Sequence, residues 1–379
     1  MFKKIILFFG LLFSMQICGE EFKDIIHANN RLAFSLYHTL GDKNCFFSPY
    51  SIETCFSLIY FGAKGKTEEE MKKALFLKID KNKLPLELSQ MQAYYQKEFV
   101  VANGIWIESL LNLKTPYVQF LSNMNVELQK INFISSFATD EINQWTETKT
   151  NHKIKHLLSS TDLDPYTKMV IVNAIYLKRE WAIPFDSYLT KDDTFYVTTQ
   201  NEIKLPMMQH TCYYPYFEND DMQVISLPLK SDNMPLAMVI FLPKQMKAAS
   251  FLTLKNYNLA MNKLENTRVI LKLPKFTINQ KYDLQSLLNM PTAFSTSANF
   301  SDLTDDTSLY INRALHQSYL KIDEDGLEAA AATAISMNAT SCAPQDEPVI
   351  YFTADHPFAF AIVDTNNKTI LFMGTFDGK

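Results

Sequence analysis

The sequence predicts an α+β fold, and three observations carry that prediction. Apolar residues recur at helical spacing through the part of the chain that ends near Leu158. Short apolar runs bounded by Pro, Asn or charged residues dominate the part that follows. The two kinds of segment do not alternate as a parallel βαβ chain would, which favours large antiparallel or mixed sheets.

Leu32, Leu36 and Leu40, with Ala33 and Tyr37, make one apolar face and predict a first helix. Thr67-Glu68-Glu69-Glu70 has the spacing of a capping box, opening a helix through Met71, Ala74 and Leu75. Residues 141–158 predict another amphipathic helix, with Ile142, Trp145, Ile154 and Leu157 on its apolar positions. Residues 169–172, 224–227, 236–242, 269–273 and 370–373 read as strands.

The chain has 379 residues, 47% hydrophobic and 20% charged, enough for a large core. Only nine glycines argue against several domains strung on flexible hinges. The net charge of -5 gives no general basis for binding nucleic acid or an anionic membrane. Lys3 and Lys4 precede an apolar run from Ile5 to about Ile17, and Cys18-Gly19 lead into Glu20-Glu21. That pattern predicts a signal peptide over residues 1–19, hence a secreted mature chain over 20–379 with no membrane anchor. The competing readings are a buried N-terminal helix and lipid attachment at Cys18, for which Met15-Gln16-Ile17 is a poor lead-in. Cys45, Cys55, Cys212 and Cys342 follow at irregular spacing, and unpaired thiols are the favoured reading.

The chain carries no nucleophile elbow, zincin helix, phosphate loop or dinucleotide fingerprint, so no enzyme, metal or cofactor is expected. His152 and His156 have helical ligand spacing, but Lys153 and Lys155 surround them and no further ligand follows, so a solvated helix face is favoured.

One segment does not suit an ordinary domain. Glu324-Asp325-Gly326-Leu327-Glu328 runs into Ala329-Ala330-Ala331-Ala332-Thr333-Ala334, and residues 335–344 continue small and polar. An alternating strand pattern at 318–323 precedes it and an apolar strand near 350–352 follows. A stretch of about twenty-five such residues between strands is long enough to suggest function.

These residues resemble the hinge of the serpins, a family of serine protease inhibitors. Residues 352–358, Phe-Thr-Ala-Asp-His-Pro-Phe, and then 370–374 resemble the family's C-terminal signature. Residues 44–52 and 62–65 resemble its second helix and exit, and 173–178 with Trp181 and Phe185 its main-sheet segment. Residues 273–275 and 300–303 match later landmarks in the right order. The resemblance implies one domain of about nine helices and three sheets with an exposed reactive-centre loop, here about residues 325–349. In this family a peptidase cuts the loop and is held as a covalent acyl-enzyme while the freed loop enters the main sheet as a new strand. The expected function is therefore secreted, suicide-substrate inhibition of a serine peptidase by a monomer; a cysteine peptidase is a second class of target. The alternative is a non-inhibitory serpin acting as carrier or chaperone.

The residues permit insertion. On an inserted strand, Leu327, Ala329, Ala331, Thr333 and Ile335 share one face, without charge or proline. Glu328, Ala330, Ala332 and Ala334 share the other. Leu327 departs from the Thr, Ser or Ala usual at the first inserting position, and its bulk is expected to slow the start. Family spacing from Glu324 places the cleaved bond at Thr340-Ser341, with Met337, Ala339 and Cys342 as rivals. The neighbourhood lacks Arg and Lys, which disfavours a trypsin-like target and favours an elastase-like one. The resemblance also implies a loop-base cluster of Trp181, Lys275 and Glu324, and a sheet-opening cluster of Ser48, Ser51, Asn173 and His316. Asn338-Ala339-Thr340 is a glycosylation sequon inside the bait, as are 299–301 and 367–369 elsewhere; a glycan on Asn338 would obstruct a peptidase. No basic cluster lies between Leu84 and Gln96, so polyanion activation there is not expected.

Overall fold

The computed structural model describes residues 22–41, 43–95, 100–124, 126–246, 251–327 and 348–379. The signal-peptide reading, Glu328 to Thr333 and the Thr340-Ser341 bond lie outside the described residues. The chain divides into two compact units, each assembled from three separate stretches. The first holds residues up to Ala33, Pro49–Ile175 and Lys281–Gln317; the second holds Phe34–Ser48, Tyr176–Gln280 and Ser318–Lys379.

In the first unit, helix α2 (Pro49–Phe61) is buried along nearly its whole length. Helices α3 (Gly65–Ala74), α4 (Leu84–Tyr95), α5 (Thr115–Asn123) and α6 (Ala138–Lys149) follow, with strands β2 (Val100–Glu108), β3 (Glu127–Ile131) and β4 (Met169–Tyr176) among them. The core joins α6 to the sheet through Trp106, Ile131, Ile142, Val170, Val172 and Leu315. Gly104 is required there: a Cβ would stand 2.3 Å from the Trp106 ring and 2.9 Å from that of Trp145. Those two indoles meet edge to face at 4.8 Å.

Two local expectations are corrected. Helix α3 begins at Gly65, which takes φ +57, so Thr67 lies inside the helix and does not cap it. Buried Thr67 instead accepts the Asn299 N–H at 2.9 Å, and Glu70 accepts the backbone N–H and hydroxyl of Thr292 at 2.8 Å each. Helix α6 stops at Lys149, because Asn151 and His152 adopt left-handed conformations that end a helix. Ile154 and Leu157 are nevertheless fully buried, held from an irregular segment whose Leu158 backbone bonds the Asn143 amide on both sides. His152 and His156 therefore do not share a helix face; His152 bonds Glu147 at 3.1 Å. Among the described residues no group of side chains is placed to hold a metal ion.

The second unit carries a nine-stranded sheet. Its strands are β1 (Cys45–Phe47), β6 (Lys191–Thr198), β7 (Asn201–Glu218), β8 (Met222–Pro228), β9 (Leu236–Pro243), β10 (Glu265–Pro274), β14 (Ile350–Thr353), β15 (Phe358–Asp364) and β16 (Thr369–Phe376). Their order is β1-β16-β15-β9-β8-β7-β10-β14, with β6 beside β7. Strands β15 and β16 are buried on both faces, as sequences apolar apart from Asp364, Thr369, Gly374 and Thr375 allow. Helix α7 (Leu254–Lys263) also belongs to this unit, and α1 (Lys23–Leu40) passes from one unit to the other.

Two sheets are present among the described residues, where three were expected. The 18-residue strand β7 is the reason: it pairs with β6 and β10 along most of its length and with β8 at its end. One continuous strand thereby joins what would otherwise be separate sheets. The second sheet has seven strands. In the first unit it runs β3-β2-β4 and then the first half of β12 (Arg313–Ile322). In the second unit the other half of β12 is followed by β13 (Gly326–Leu327) and β5 (Arg179–Glu180). Strand β11 (Phe276–Asp283) also pairs with β12. With α8 (Leu284–Leu287), the described residues form eight α-helices and two 3-10 turns.

Candidate functional site

The base of the candidate loop is fixed from three sides. Strand β12 ends at Ile322, and Asp323, Glu324 and Asp325 turn the chain into β13. The Asp323 N–H donates back to the Gly326 carbonyl at 3.0 Å. Trp181, 1% exposed, spans the turn: its indole donates to the Asp323 carbonyl at 2.9 Å and its backbone N–H to that of Asp325 at 3.0 Å. Phe185 packs edge to face on the Trp181 ring and donates its N–H to the Glu324 carbonyl.

The Glu324 carboxylate accepts the Lys275 ammonium at 2.6 Å on one oxygen and the Thr190 hydroxyl at 2.8 Å on the other. Burial opposes its ionisation, but those two donors outweigh burial and hold the carboxyl below the usual range. Asp325 is displaced upward by burial and by the negative charges of Asp323, Glu324 and Glu180. The structure thus brings Trp181, Lys275 and Glu324 together at one turn and adds Thr190, which the sequence did not single out. A lone threonine outside any motif gives no signal of this kind.

Beyond the turn the chain enters the sheet. Gly326 pairs with Glu180 and Leu327 with Arg179 on one side, while Leu327 faces Ile322 on the other. Gly326 takes φ +150, and a Cβ there would lie 2.2 Å from the Arg179 carbonyl oxygen. Only glycine allows so close a backbone approach. Leu327 is fully buried. Its bulk was expected to hinder entry; it already occupies an interior place between β12 and β5, where a large apolar side chain is favoured by roughly 2 kcal/mol over an exposed one.

The second cluster lies in the first unit. The Asn173 amide donates to the Ser51 hydroxyl at 2.6 Å and to Asn103 Oδ1 at 2.5 Å, and Ser51 donates to the same Asn103 oxygen at 3.3 Å. His316 Nδ1 faces the Asn173 side-chain oxygen at 2.5 Å and its backbone carbonyl at 3.1 Å. Both partners are acceptors, so Nδ1 carries the proton. Burial drives the His316 pKa down to about 3, against the Asn173 carbonyl, so the ring is neutral. Tyr282 stacks on it at 6.1 Å. Ser51, Asn173 and His316 therefore meet in one polar network, and Asn103 joins them. The sole polar side chain within the apolar run 100–107 was its available signal. Ser48, in the second unit, donates to the Leu371 carbonyl at 2.7 Å.

A family profile described as "Serpin (serine protease inhibitor)" matches residues 27–377. The chain belongs to the serpin family. An uncharacterized serpin-like protein of Thermococcus kodakarensis is 36% identical over 377 residues, covering 94% of this chain and 86% of that protein. A serine protease inhibitor of Cyanea capillata is 31% identical, covering 91% and 96%. Among solved structures, uncleaved ovalbumin superposes with TM-score 0.82 at 26% identity, covering 93% and 99% of the two chains. Human thyroxine-binding globulin complexed with its ligand does so with TM-score 0.82 at 27% identity, covering 94% and 99%. A serpin is not itself an enzyme, in keeping with the missing hydrolase motifs. In this serpin the α+β fold and two large sheets carry both clusters.

Proposed function

We propose that this serpin is a secreted inhibitor of serine peptidases that acts by loop insertion. The observation that carries the reading is the strand Gly326–Leu327, already seated between β12 and β5 with Leu327 buried. The sheet accepts this chain at the point where insertion must begin, and the residues that follow in sequence are small and uncharged after Glu328.

The loop extends over about residues 325–349, with its first residues Gly326 and Leu327 seated in the sheet and the bait beyond them offered to the peptidase; the bond offered is Thr340-Ser341, and an elastase-like peptidase is the favoured target. Cutting frees the hinge to extend β13. About twelve added residues, at roughly 1 kcal/mol of net hydrogen bonding each, supply on the order of 10 kcal/mol before chain entropy is subtracted. Trp181, Lys275 and Glu324 hold the loop base, and Ser51, Asn103, Asn173 and His316 hold the strands that must part, with Ser48 three residues before Ser51. The outer part of β7 with β6, β10 and β14 serves as the third sheet of the family pattern. Residues 1–19 are removed on secretion, the mature single domain is a monomer, and the bait sequon is unoccupied; the mass and N-terminal sequence of the secreted protein test these points.

A carrier role is the second reading, favoured by the likeness to thyroxine-binding globulin. Incubation with a panel of serine peptidases separates the two. An SDS-resistant adduct supports inhibition. Clean loop cleavage by every peptidase, with no adduct and no gain in thermal stability, rejects it.

A further inference from the structure

Within the first unit, a cavity of about 370 Å³ lies between α1 and the end of α3. Phe76 and Leu77 form its apolar wall, and Arg31, Lys72, Lys73 and Lys78 surround that wall with positive charge. Glu69 adds a single carboxylate. Lysines close by in sequence are neutralised: Lys64 by Asp302 at 2.7 Å, Lys66 by Glu70 at 3.6 Å and Lys81 by Glu68 at 3.2 Å. Among the described residues the four cations of the cavity hold no carboxylate. In a chain of net charge -5 they form a concentrated patch of unmatched positive charge.

Phe76 reaches this wall through an unusual backbone. It closes α3 at φ +56, its N–H donating to the Lys73 carbonyl at 3.2 Å while the Leu77 N–H donates to the Lys72 carbonyl at 3.0 Å. Glycine is the usual residue at such a turn, because a side chain is strained in the left-handed region. Here the strain is kept, and the Arg31 guanidinium stands 4.9 Å from the centre of the Phe76 ring. Both side chains are half-buried, whereas Lys72, Lys73 and Lys78 are exposed. Strain retained in a folded chain gathers at functional sites.

We propose that this cavity binds a small phosphate monoester carried on a planar ring, a nucleoside monophosphate in class. Such a phosphate bears close to two negative charges at neutral pH and offers three acceptor oxygens. Lysine ammoniums bind phosphate as point charges, and their aliphatic stems can lie along an apolar wall while the heads reach the ligand. Phe76 and Arg31 supply the surfaces for the base, since flat rings stack on aromatic side chains and on guanidinium planes. The volume is that of about a dozen waters at about 30 Å³ each, which one such molecule occupies. A long polyanion would cross the opening without filling it. The inference is independent of the inhibitory reading.

Equilibrium dialysis of the full chain against labelled adenosine monophosphate tests the proposal. The expected result is saturable binding with a Kd below about 1 mM, weakened by salt. Adenosine, which lacks the phosphate, and inorganic phosphate, which lacks the ring, should each compete at least tenfold less well. The Lys72→Gln/Lys73→Gln double variant and the Phe76→Gly variant should each bind at least tenfold more weakly. Neither should lower the Tm of the free protein, because the lysines are exposed and glycine suits the turn at residue 76. No binding of adenosine monophosphate up to about 5 mM overturns the proposal. Equal competition by adenosine overturns it, as does a Kd within twofold of the unaltered protein in either variant. Retention of an oligonucleotide or a sulfated polysaccharide without adenosine monophosphate also overturns it, since the cations would then be reading a polymer backbone.

Discussion

The Arg179 carbonyl oxygen occupies the space where a Cβ on Gly326 would stand, 2.2 Å from that atom's ideal position. The first rung of β13 therefore depends on the missing side chain as much as on its hydrogen bonds. Gly326→Ala must push β13 away from β5 and also strain a left-handed backbone. The expected loss is about 1–3 kcal/mol, concentrated at the loop base. Hydrogen exchange should show faster exchange over residues 322–327 with the rest of the sheet unaffected.

Leu327 supplies the apolar half of that rung. Leu327→Thr replaces a fully buried isobutyl group with a smaller, partly polar one and should loosen the loop base by about 1–2 kcal/mol. Because Trp181 bonds the adjoining turn through both its indole and its backbone, a change in its fluorescence should accompany the loosening. Leu327→Asp places a charge in the same interior position and is expected to turn an inhibitor into a substrate, read as cleavage without adduct.

Two buried titrating groups give stability opposite pH dependences. Glu53 lies fully buried on α2 with the Ser57 hydroxyl donating to one carboxylate oxygen at 3.0 Å, and burial raises its pKa to about 8. The stability it contributes is complete below the unfolded value of 4.5 and is lost as pH rises toward 8, by up to about 5 kcal/mol. Glu53→Gln should flatten that slope. His316 runs the other way: its folded pKa is depressed from 6.5 to about 3, so its contribution is complete above 6.5 and lost as pH falls toward 3. Denaturant midpoints of the unaltered protein, Glu53→Gln and His316→Asn from pH 4 to 9 check both signs.

Gly104→Ala tests the core beneath the first unit's sheet. The added methyl meets the Trp106 and Trp145 rings, so overpacking should lower stability by about 1–3 kcal/mol. Thermal unfolding measures it, and Trp145→Leu in the same chain should restore part of the loss by making room.

Much of this was legible from sequence because the informative residues stand in runs. The strand at 236–242 was readable since its apolar side chains are consecutive, that at 224–227 since only Ser226 interrupts them, and the loop base since Glu324, Gly326 and the alanines adjoin. Contacts made by isolated residues were not readable. Thr67 has the spacing of a cap, yet its hydroxyl serves Asn299, a partner 232 positions away. Ile154 and Leu157 keep helical spacing, but two successive left-handed residues break the helix before them while tertiary burial preserves the pattern. Leu327 was legible as apolar; its seat beside β12 also depends on Arg179 of β5, which lies far from it in sequence.

Differential scanning calorimetry of the protein before and after a single cut in the bait is the most direct measurement. Extension of β13 into the sheet should raise Tm by on the order of 10 °C or more, with the cut chain still associated. An unchanged or lower Tm after clean cutting would contradict insertion and leave a serpin-shaped binder.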